Sequence, residues 1–361
     1  ALLACLLALL ACALFSGIFM PKTRNSIRIM IGIAQASSNF HVFLCMFIHI
    51  SHDLQRSKDT TMPGQSDANG ANPMPVTVIG EGQMGLVMAD ALAEGNHSVR
   101  IWGPFEDQLL ELARSRESPR LPGFRLQEVI EVEPSAERAL AGASLVVCAI
   151  PCQFVRGVFE KLIHAMPENV VLVSVAKGIE VSSLLRPTEV LAEVLTSRSP
   201  RTVCLSGPTI AGELARHQIA TMVAAGTDDA AVAATQDAFS TDWLRVYRSQ
   251  DVIGVELAGA LKNVVAIAAG ILDGMDAGTN AKSALLARGL AEIVRLGRVM
   301  GADQETFYGV SGVGDLATTC FSPEGRNRSC GEAIGRGVPL DRYLAESKCV
   351  VEGVATTPAI M

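Results

Sequence analysis

The pattern of hydrophobic and polar positions divides the chain into three parts. Residues 1–50 contain two apolar stretches, and residues 51–75 are polar and rich in Asp, Gly, Asn and Pro. Short β-branched runs then alternate with helical patterns up to residue 251, which is typical of a parallel sheet with crossover helices. From there onward the pattern is helical almost throughout. We predict an N-terminal extension (1–74), an α/β domain with a doubly wound sheet (75–251) and an all-α domain (252–361).

The N-terminal extension has two interpretations. Residues 1–20 carry no charge, as in the core of a signal peptide or in a membrane anchor. However, the chain does not begin with Met, and no basic segment precedes Leu2. The second interpretation is therefore upstream sequence outside the working protein. Membrane contact is expected only under the first interpretation.

The most apolar segment of the helical part is Val252–Leu272. A helix that is apolar on every face must be buried. Its length approaches that of a membrane span, but Lys262 beside Asn263 is costly in a bilayer, and its many Gly and Ala residues suit close crossing by other helices. We therefore predict a core helix whose lysine ammonium faces a ligand cavity. The alternative is an ion pair between this lysine and a core carboxylate.

A glycine-rich turn follows the first β-branched run. The order is the strand Val76–Ile79, the run GEGQMG, a helical pattern and a second strand, Ser98–Trp102. In this context the glycines permit a tight turn, let a pyrophosphate approach the backbone and let the helix pack closely on the strand. We predict a Rossmann-type dinucleotide site. The cofactor-binding residues assigned to the turn are Gly80, Gly82, Gln83, Met84 and Gly85.

The residues after the second strand bear on the choice between NAD and NADP. An acidic residue there binds the ribose 2′-hydroxyl of NAD, whereas a basic one accommodates the 2′-phosphate of NADP. This chain continues with Gly103, Pro104, Phe105 and Glu106. Glu106 is either a ribose ligand or a solvated helix start. Because no basic residue follows at once, we expect NAD or NADP as cofactor, with NAD favoured.

Composition excludes several other classes of protein. A net charge of −7 and a pI near 5.5 argue against a nucleic-acid partner. The nine cysteines show no C-x-x-C spacing, so they predict neither a metal site nor a disulfide framework. A reducing compartment fits this pattern, and we expect a cytoplasmic protein.

Two further predicted strands end in candidate ligand-binding residues. Val170–Val175 leads to Lys177, and Thr202–Leu205 leads to Gly207 and Thr209. Doubly wound sheets bind ligands at the carboxyl ends of their strands, so Lys177 is placed to face a ligand; the alternative is a solvated loop lysine. The Gly-Pro-Thr run predicts a helix with Pro in its first turn and free backbone N–H groups.

Four runs behind the glycine turn resemble the bacterial type of NAD(P)-dependent glycerol-3-phosphate dehydrogenase. They are LSGPTIAGELA, GVELAGALKNVVAIAAGILDGMDAGTNAKSALLARGLAEIVRLG, SGVGDLATTCFSPEGRNRSCG and VVEGVAT, and the resemblance extends from about Val76 to the C-terminus. It implies reversible hydride transfer between NAD(P)H and dihydroxyacetone phosphate, giving sn-glycerol 3-phosphate for phospholipid synthesis. It also implies a homodimer.

The same resemblance implies roles for individual residues. Lys262 is expected to be the proton donor or acceptor, and Lys177 to touch substrate and cofactor. Asp315 is expected to hold Lys262 in place, although it also suits the cap of the following helix. The substrate site is expected to contain Lys177, Gly207, Thr209, Lys262, Asn263, Asp315, Gly325, Arg326 and Asn327. Further cofactor contacts are expected from Lys177, Ala211, Arg326, Val350 and Glu352.

The chemistry of these residues agrees with the resemblance. A fixed cation that donates a proton stabilises the oxygen of a carbonyl under hydride attack. The neighbours Lys177 and Arg326 lower the pKa of Lys262, whereas Asp315 and a bound phosphate raise it, and the sequence leaves the balance open. The planar guanidinium of Arg326 suits a phosphate.

Departures from the family pattern keep two alternatives open. Pro104 replaces a frequent Arg, Thr209 and Gly325 each replace a Ser, and Gln83-Met84 replace a small residue plus an aromatic one. These changes put the NADP preference in doubt more than the reaction. Because family members continue further, we also expect a chain shortened at its C-terminus. The alternatives are a related β-hydroxyacid or ketopantoate-type dehydrogenase, or a catalytically silent dinucleotide-binding sensor.

Overall fold

The computed structural model describes residues 73–347 and 350–360. The predictions for residues 1–72 therefore lie outside the described residues. The remainder comprises a sheet covered by helices, followed by a mainly helical part.

The sheet of the described residues has eight strands in the order β3-β2-β1-β4-β5-β6-β7-β8, with the bounds given at the end of this paragraph. The first six strands are parallel, the seventh is antiparallel to the sixth, and the last two run parallel to each other. The strands are β1 (Pro75–Ile79), β2 (Ser98–Trp102), β3 (Glu131–Val132), β4 (Leu145–Cys148), β5 (Val171–Ser174), β6 (Arg201–Ser206), β7 (Ala220–Ala225) and β8 (Leu244–Ser249).

Helices cover both faces of this sheet, so its central strands are apolar on both sides. All residues of β4 (LVVC) and β5 (VLVS) are buried. Ligands of this domain are therefore expected to bind in the loops at the carboxyl ends of the strands. The covering helices are α1 (Gln83–Glu94), α2 (Glu106–Ser115), α3 (Ala136–Leu140), α4 (Cys152–Leu162), α5 (Pro187–Val194), α6 (Ala211–Leu214) and α7 (Asp229–Phe239).

The helical part begins directly after β8. A π-helical turn, Val310–Gly314, interrupts it before the second of its short helices. The predicted boundary at residue 251 falls between β8 and the first long helix, and the division into domains stays a prediction. The helices are α8 (Val252–Gly274), α9 (Gly278–Val299), α10 (Gln304–Tyr308), α11 (Asp315–Phe321), α12 (Arg326–Gly335), α13 (Leu340–Glu346) and α14 (Glu352–Ala359).

Helix α8 is the central element of the helical part. Among the described residues it alone is long and apolar enough to cross a membrane, yet 89% of its apolar window is buried inside the protein. Asp251 caps its start by accepting a hydrogen bond from the Gly254 N–H at 2.8 Å. Of its three charged residues, Glu256 and Lys262 are buried, and Asp273 near its end is partly buried. The helix is thus surrounded by protein, as its small residues predict.

Helices α8 and α12 cross in direct backbone contact. A Cβ atom on Gly270 would lie 1.9 Å from the Arg328 carbonyl oxygen, and one on Gly331 would lie 1.9 Å from that of Ile267. Only glycine therefore permits this separation. The crossing sets the distance between the middle of α8 and the N-terminus of α12. Most of the predicted substrate residues lie in these two places.

Candidate active site

Four chain segments place their predicted site residues together. Lys177 follows β5, Gly207 follows β6, Lys262 lies in the middle of α8, and Asp315 is the first residue of α11. The parallel strands end at the same edge of the sheet, and α8 packs across that edge. Residues separated by more than a hundred positions in the sequence thereby meet.

Asp315 joins the two lysines. Its Oδ1 lies 2.5 Å from Lys262 Nζ, and its Oδ2 lies 2.7 Å from Lys177 Nζ. Its side chain makes no capping hydrogen bond to helix α11, whose N-cap is Gly314. Of the two roles that the sequence leaves open for Asp315, the contact with Lys262 is therefore the one observed.

Lys262 is almost completely enclosed. Its side chain is 8% exposed, and burial lowers its pKa to about 8, with Asp315 opposing the shift and Lys177 adding to it. Burial therefore decides the balance of charges that the sequence leaves open. The ammonium is paired with a core carboxylate, which was the alternative to an open cavity, and the stem of Lys177 fills the space beside Gly259.

One donor of Lys262 nevertheless remains available. The ammonium donates to Asp315 and, at 2.5 Å, to Thr319 Oγ1. An ammonium has three N–H donors, and the third has no partner among the residues that the structure describes. A substrate oxygen is thus able to accept it. Thr319 is absent from the sequence-based assignments, although its position four residues after Asp315 puts both on one face of a helix.

Lys177 is held from two sides. It donates to the Gly207 carbonyl oxygen at 2.9 Å and to Asp315, and its side chain is 13% exposed. The loop after β6 continues with Thr209, whose hydroxyl donates to the same carbonyl at 3.2 Å. The helix predicted to start in this Gly-Pro-Thr run begins only at Ala211. The prediction of Pro in its first turn is therefore wrong.

A chain of amides links α8, α12 and the start of α14. Asn327 Nδ2 donates to Asn263 Oδ1 at 3.0 Å, and Asn327 Oδ1 accepts from the Gly353 N–H at 2.9 Å. Both ends of the Asn327 amide are therefore engaged within the protein. This arrangement fixes the start of α12 relative to Lys262 and holds Glu352 beside the site.

The start of α12 is suited to an anion. Gly325 is its N-cap and provides no side-chain cap, so the backbone N–H groups of the first turn point outward. Arg326 is exposed and makes no ion pair within the described part of the chain. Burial raises the pKa of the nearby Glu352, against the attraction of Arg326, Lys177 and Lys262.

The glycine turn after β1 has the shape that a dinucleotide requires. Gly80 has a φ of +123°, and a Cβ there would lie 2.8 Å from the Ala149 carbonyl oxygen. A Cβ on Gly85 would lie 1.8 Å from the Gly80 carbonyl oxygen, whereas the space at Gly82 is open to 4 Å. Helix α1 has no side-chain cap. An anion thus has both room and free N–H donors at this helix.

The other residues assigned to the cofactor lie in different surroundings. Met84 packs against the core of the sheet domain, as does Ala211. Gln83 donates through its amide to the Arg120 carbonyl oxygen. Val350 is half-buried two residues before α14. Glu106 is exposed as the first residue of α2.

Comparison with known families agrees with this geometry. Residues 75–232 match the family model of the NAD-dependent glycerol-3-phosphate dehydrogenase N-terminus, and residues 251–361 match that of its C-terminus. The chain belongs to the NAD-dependent glycerol-3-phosphate dehydrogenase family.

Individual members of the glycerol-3-phosphate dehydrogenase family are similar over most of their length. The glycerol-3-phosphate dehydrogenase [NAD(P)+] of Citrifermentans bemidjiense is 43% identical over 284 residues, which is 78% of this chain and 85% of the relative. That of Bacillus mycoides is 42% identical over 286 residues, covering 79% and 84%. A crystal structure of the Coxiella burnetii glycerol-3-phosphate dehydrogenase matches with a TM-score of 0.76 and 30% identity, covering 80% of this chain and 88% of that one.

Membership of the glycerol-3-phosphate dehydrogenase family confirms four predictions. These are the family itself, the Rossmann-type sheet followed by a helical region, the class of enzyme, which is oxidoreductase, and the use of NAD or NADP. The individual site residues and the preference between the two cofactors stay predictions.

Proposed function

We propose that this chain interconverts dihydroxyacetone phosphate and sn-glycerol 3-phosphate, with NAD(P) as the hydride carrier and Lys262 as proton donor and acceptor. Relatives that share its two family regions carry the name of this activity. The observation that carries the proposal is the buried Lys262–Asp315–Lys177 group, with Nζ–Oδ distances of 2.5 and 2.7 Å.

Lys262 supports proton transfer through its position and its pKa. When bound, the reduced nicotinamide supplies a hydride to the carbonyl carbon, and negative charge then develops on the carbonyl oxygen. The third N–H of Lys262 Nζ stabilises this oxygen and delivers the proton to it. A pKa of about 8 leaves the amine protonated near neutral pH, yet acidic enough to give up a proton.

Asp315 and Lys177 support the reaction by positioning. Asp315 accepts from both ammonium groups and compensates part of their charge. Lys177, tied to the loop after β6 by the Gly207 carbonyl, presents a second cation beside the first. Two positive groups around one carboxylate leave the site net positive, which favours a phosphorylated substrate.

The N-terminus of α12 supports phosphate binding. Its first-turn N–H groups have no side-chain cap, and an exposed Arg326 stands beside them. A guanidinium and a helix N-terminus together bind a phosphate dianion well. The amide chain from Asn263 to Asn327 holds this phosphate site at a constant distance from Lys262.

The cofactor part of the proposal rests on the glycine turn. The open space at Gly82 and the uncapped start of α1 receive the pyrophosphate. Glu352, the first residue of α14, and Val350, two residues before it, close the nicotinamide side in this proposal.

Turnover of the 361-residue chain with dihydroxyacetone phosphate tests the proposal directly. Oxidation of NADH and of NADPH is followed with wild type and with Lys262→Ala. We expect turnover in wild type and a fall of roughly two to four orders of magnitude in the variant. The control is Lys161→Ala, because Lys161 is an exposed residue at the end of α4; its activity should equal that of wild type.

Absence of turnover in a folded wild-type protein would contradict the proposed reaction and favour a related hydroxyacid dehydrogenase or a silent sensor. Turnover that survives Lys262→Ala would contradict the proton-transfer role alone. We also propose a cytoplasmic enzyme that supplies glycerol 3-phosphate for phospholipid synthesis and acts as a homodimer. A single cross-linked species of twice the chain mass would support the dimer, and a monomer at assay concentration would contradict it.

A further inference from the structure

Glu81 is a buried acid within the glycine turn that the proposed reaction does not use. It stands between Gly80 and Gly82, and its side chain is 5% exposed. Its Oε1 has no hydrogen-bond partner among the described residues. A buried carboxylate oxygen without a donor is costly, so a group that donates to it on binding would relieve that cost.

The position of Glu81 coincides with the end of the second strand. A Cβ atom on Gly103, the first residue after β2, would lie 1.7 Å from Glu81 Oε2. The carboxylate thus occupies the space directly above this glycine. The end of the second strand is where Rossmann domains recognise the adenosine ribose. Glu81 therefore provides, from the glycine turn, the carboxylate that other Rossmann domains provide from the residues after β2.

Arg120 lies on the other side of this carboxylate. Its Nη1 is 3.7 Å from Glu81 Oε1, beyond hydrogen-bond distance, and its side chain is 35% exposed. The Arg120 carbonyl oxygen accepts a hydrogen bond from the side-chain amide of Gln83, the first residue of α1. The loop after α2 is thus tied to the start of α1. This loop places the guanidinium of Arg120 near the end of β2, where the residues directly after the strand are not basic.

The contacts distinguish Glu81 from an ordinary structural acid. The buried Glu256 accepts three hydrogen bonds, from Arg186 at 2.6 Å and from the N–H and hydroxyl of Thr188 at 2.8 and 2.7 Å. Glu81 has no such set at Oε1. Burial raises the pKa of Glu81, with a hydrogen bond from its own backbone and then Arg120 opposing the shift. The difference from Glu256 therefore lies at Oε1, which lacks a hydrogen-bond partner among the described residues.

We propose that Glu81 and Arg120 together read the 2′ position of the adenosine ribose and select NAD(H) over NADP(H). Glu81 accepts a hydrogen bond from the 2′-hydroxyl and repels a 2′-phosphate. Arg120 offsets part of that repulsion and is the group that binds the 2′-phosphate once Glu81 is neutral. The inference rests on the dinucleotide-binding part of the proposed function and not on the identity of the reduced substrate.

Binding without triose phosphate separates this inference from the proposed reaction. Dissociation constants for NADH and NADPH are measured by nicotinamide fluorescence, and those for ADP-ribose and its 2′-phosphate by calorimetry. Wild type should bind the forms with a free 2′-hydroxyl at least about tenfold more tightly. Glu81→Gln should lower that ratio by roughly ten- to a hundredfold, because the repulsion and the charged acceptor are both lost.

Arg120→Gln makes the inference testable even if Glu81→Gln fails to fold, because Arg120 is partly exposed. It should weaken NADPH more than NADH, and the double variant should lose the NADPH affinity that Glu81→Gln gains. The matched control is Glu160→Gln, an exposed acid in α4, which should leave both affinities unchanged. Equal affinities in wild type, an unchanged ratio in Glu81→Gln, or an equal loss of both cofactors in Arg120→Gln would each overturn the inference.

Discussion

Two buried ionisable groups in this molecule, Lys262 and Glu81, differ in how far their hydrogen-bonding capacity is satisfied. Lys262 donates to Asp315 and Thr319, both at 2.5 Å. Glu81 has its nearest cation at 3.7 Å and one oxygen without a hydrogen bond. Lys262, the proposed proton-transfer group, is thus held in place before substrate arrives, whereas Oε1 of Glu81 in the glycine turn still lacks a hydrogen-bond donor among the described residues. The difference predicts that substitutions around Lys262 act on turnover and substitutions around Glu81 on cofactor choice.

Asp315→Asn should have the largest effect on this comparison, because it removes the charge shared by two lysines. We expect kcat/KM for dihydroxyacetone phosphate to fall roughly a hundredfold or more. Asp315 raises the pKa of Lys262, so its loss should move the alkaline limit of reduction to lower pH. Steady-state rates across pH measure both changes.

The exposed Asp276, in the turn after α8, provides the control for Asp315. Asp276→Asn removes the same charge and should leave the pH profile unchanged. A profile for Asp315→Asn with its alkaline limit at or above that of wild type would contradict the pairing.

Gly270→Ala should affect the substrate site but not the cofactor site, because it forces α8 and α12 apart. The new Cβ would lie 1.9 Å from the Arg328 carbonyl oxygen, which should cost about 1–3 kcal/mol of stability. The substrate KM should rise as Arg326 moves away from Lys262, while NADH binding at the glycine turn should change little. Chemical denaturation and NADH titration measure the two effects.

Gly157 offers a matched control within a helix. It lies exposed in α4, and a Cβ there would meet no atom within 4 Å. Gly157→Ala should therefore stabilise the protein by about 0.5–1 kcal/mol. If Gly270→Ala were equally harmless, the glycine crossing would not be the feature that spaces the site.

The pH dependence of the two directions should follow Lys262. Reduction requires the protonated amine, so its kcat/KM should fall as pH rises through about 8 and then drop about tenfold per unit. Oxidation requires the neutral amine, so its rate should rise over the same range. Identical profiles for the two directions would contradict the assignment of Lys262 as the titrating group.

Thr319→Val should have the smallest effect, because it removes one neutral acceptor from Lys262 Nζ while keeping the shape of the side chain. A loss of about 1 kcal/mol, or roughly fivefold in kcat/KM, is expected. Thr319→Ser retains the hydroxyl and should restore most of the rate. A serine variant as slow as the valine variant would point to packing instead of the hydrogen bond.

Much of the fold is predictable from local patterns. The runs that became β1, β2, β5 and β6 are visible as β-branched or apolar segments, and α8 begins at the predicted Val252. The two-residue strand β3 and the antiparallel placement of β7 are not visible. A strand of two residues has too little pattern to detect, and strand direction depends on where a connection crosses the sheet.

The sequence by itself determined the class of chemistry. Side-chain identity and local spacing are chain properties, so the glycine turn, the buried lysine of α8 and the family runs are legible without coordinates. Only the tertiary structure decided how these groups are charged and partnered. Burial is the largest cause of the lowered pKa of Lys262, with Asp315 opposing the shift and Lys177 adding to it. The unsatisfied oxygen of Glu81 likewise depends on Gly103 and Arg120, because desolvation and hydrogen bonding arise from contacts between distant segments.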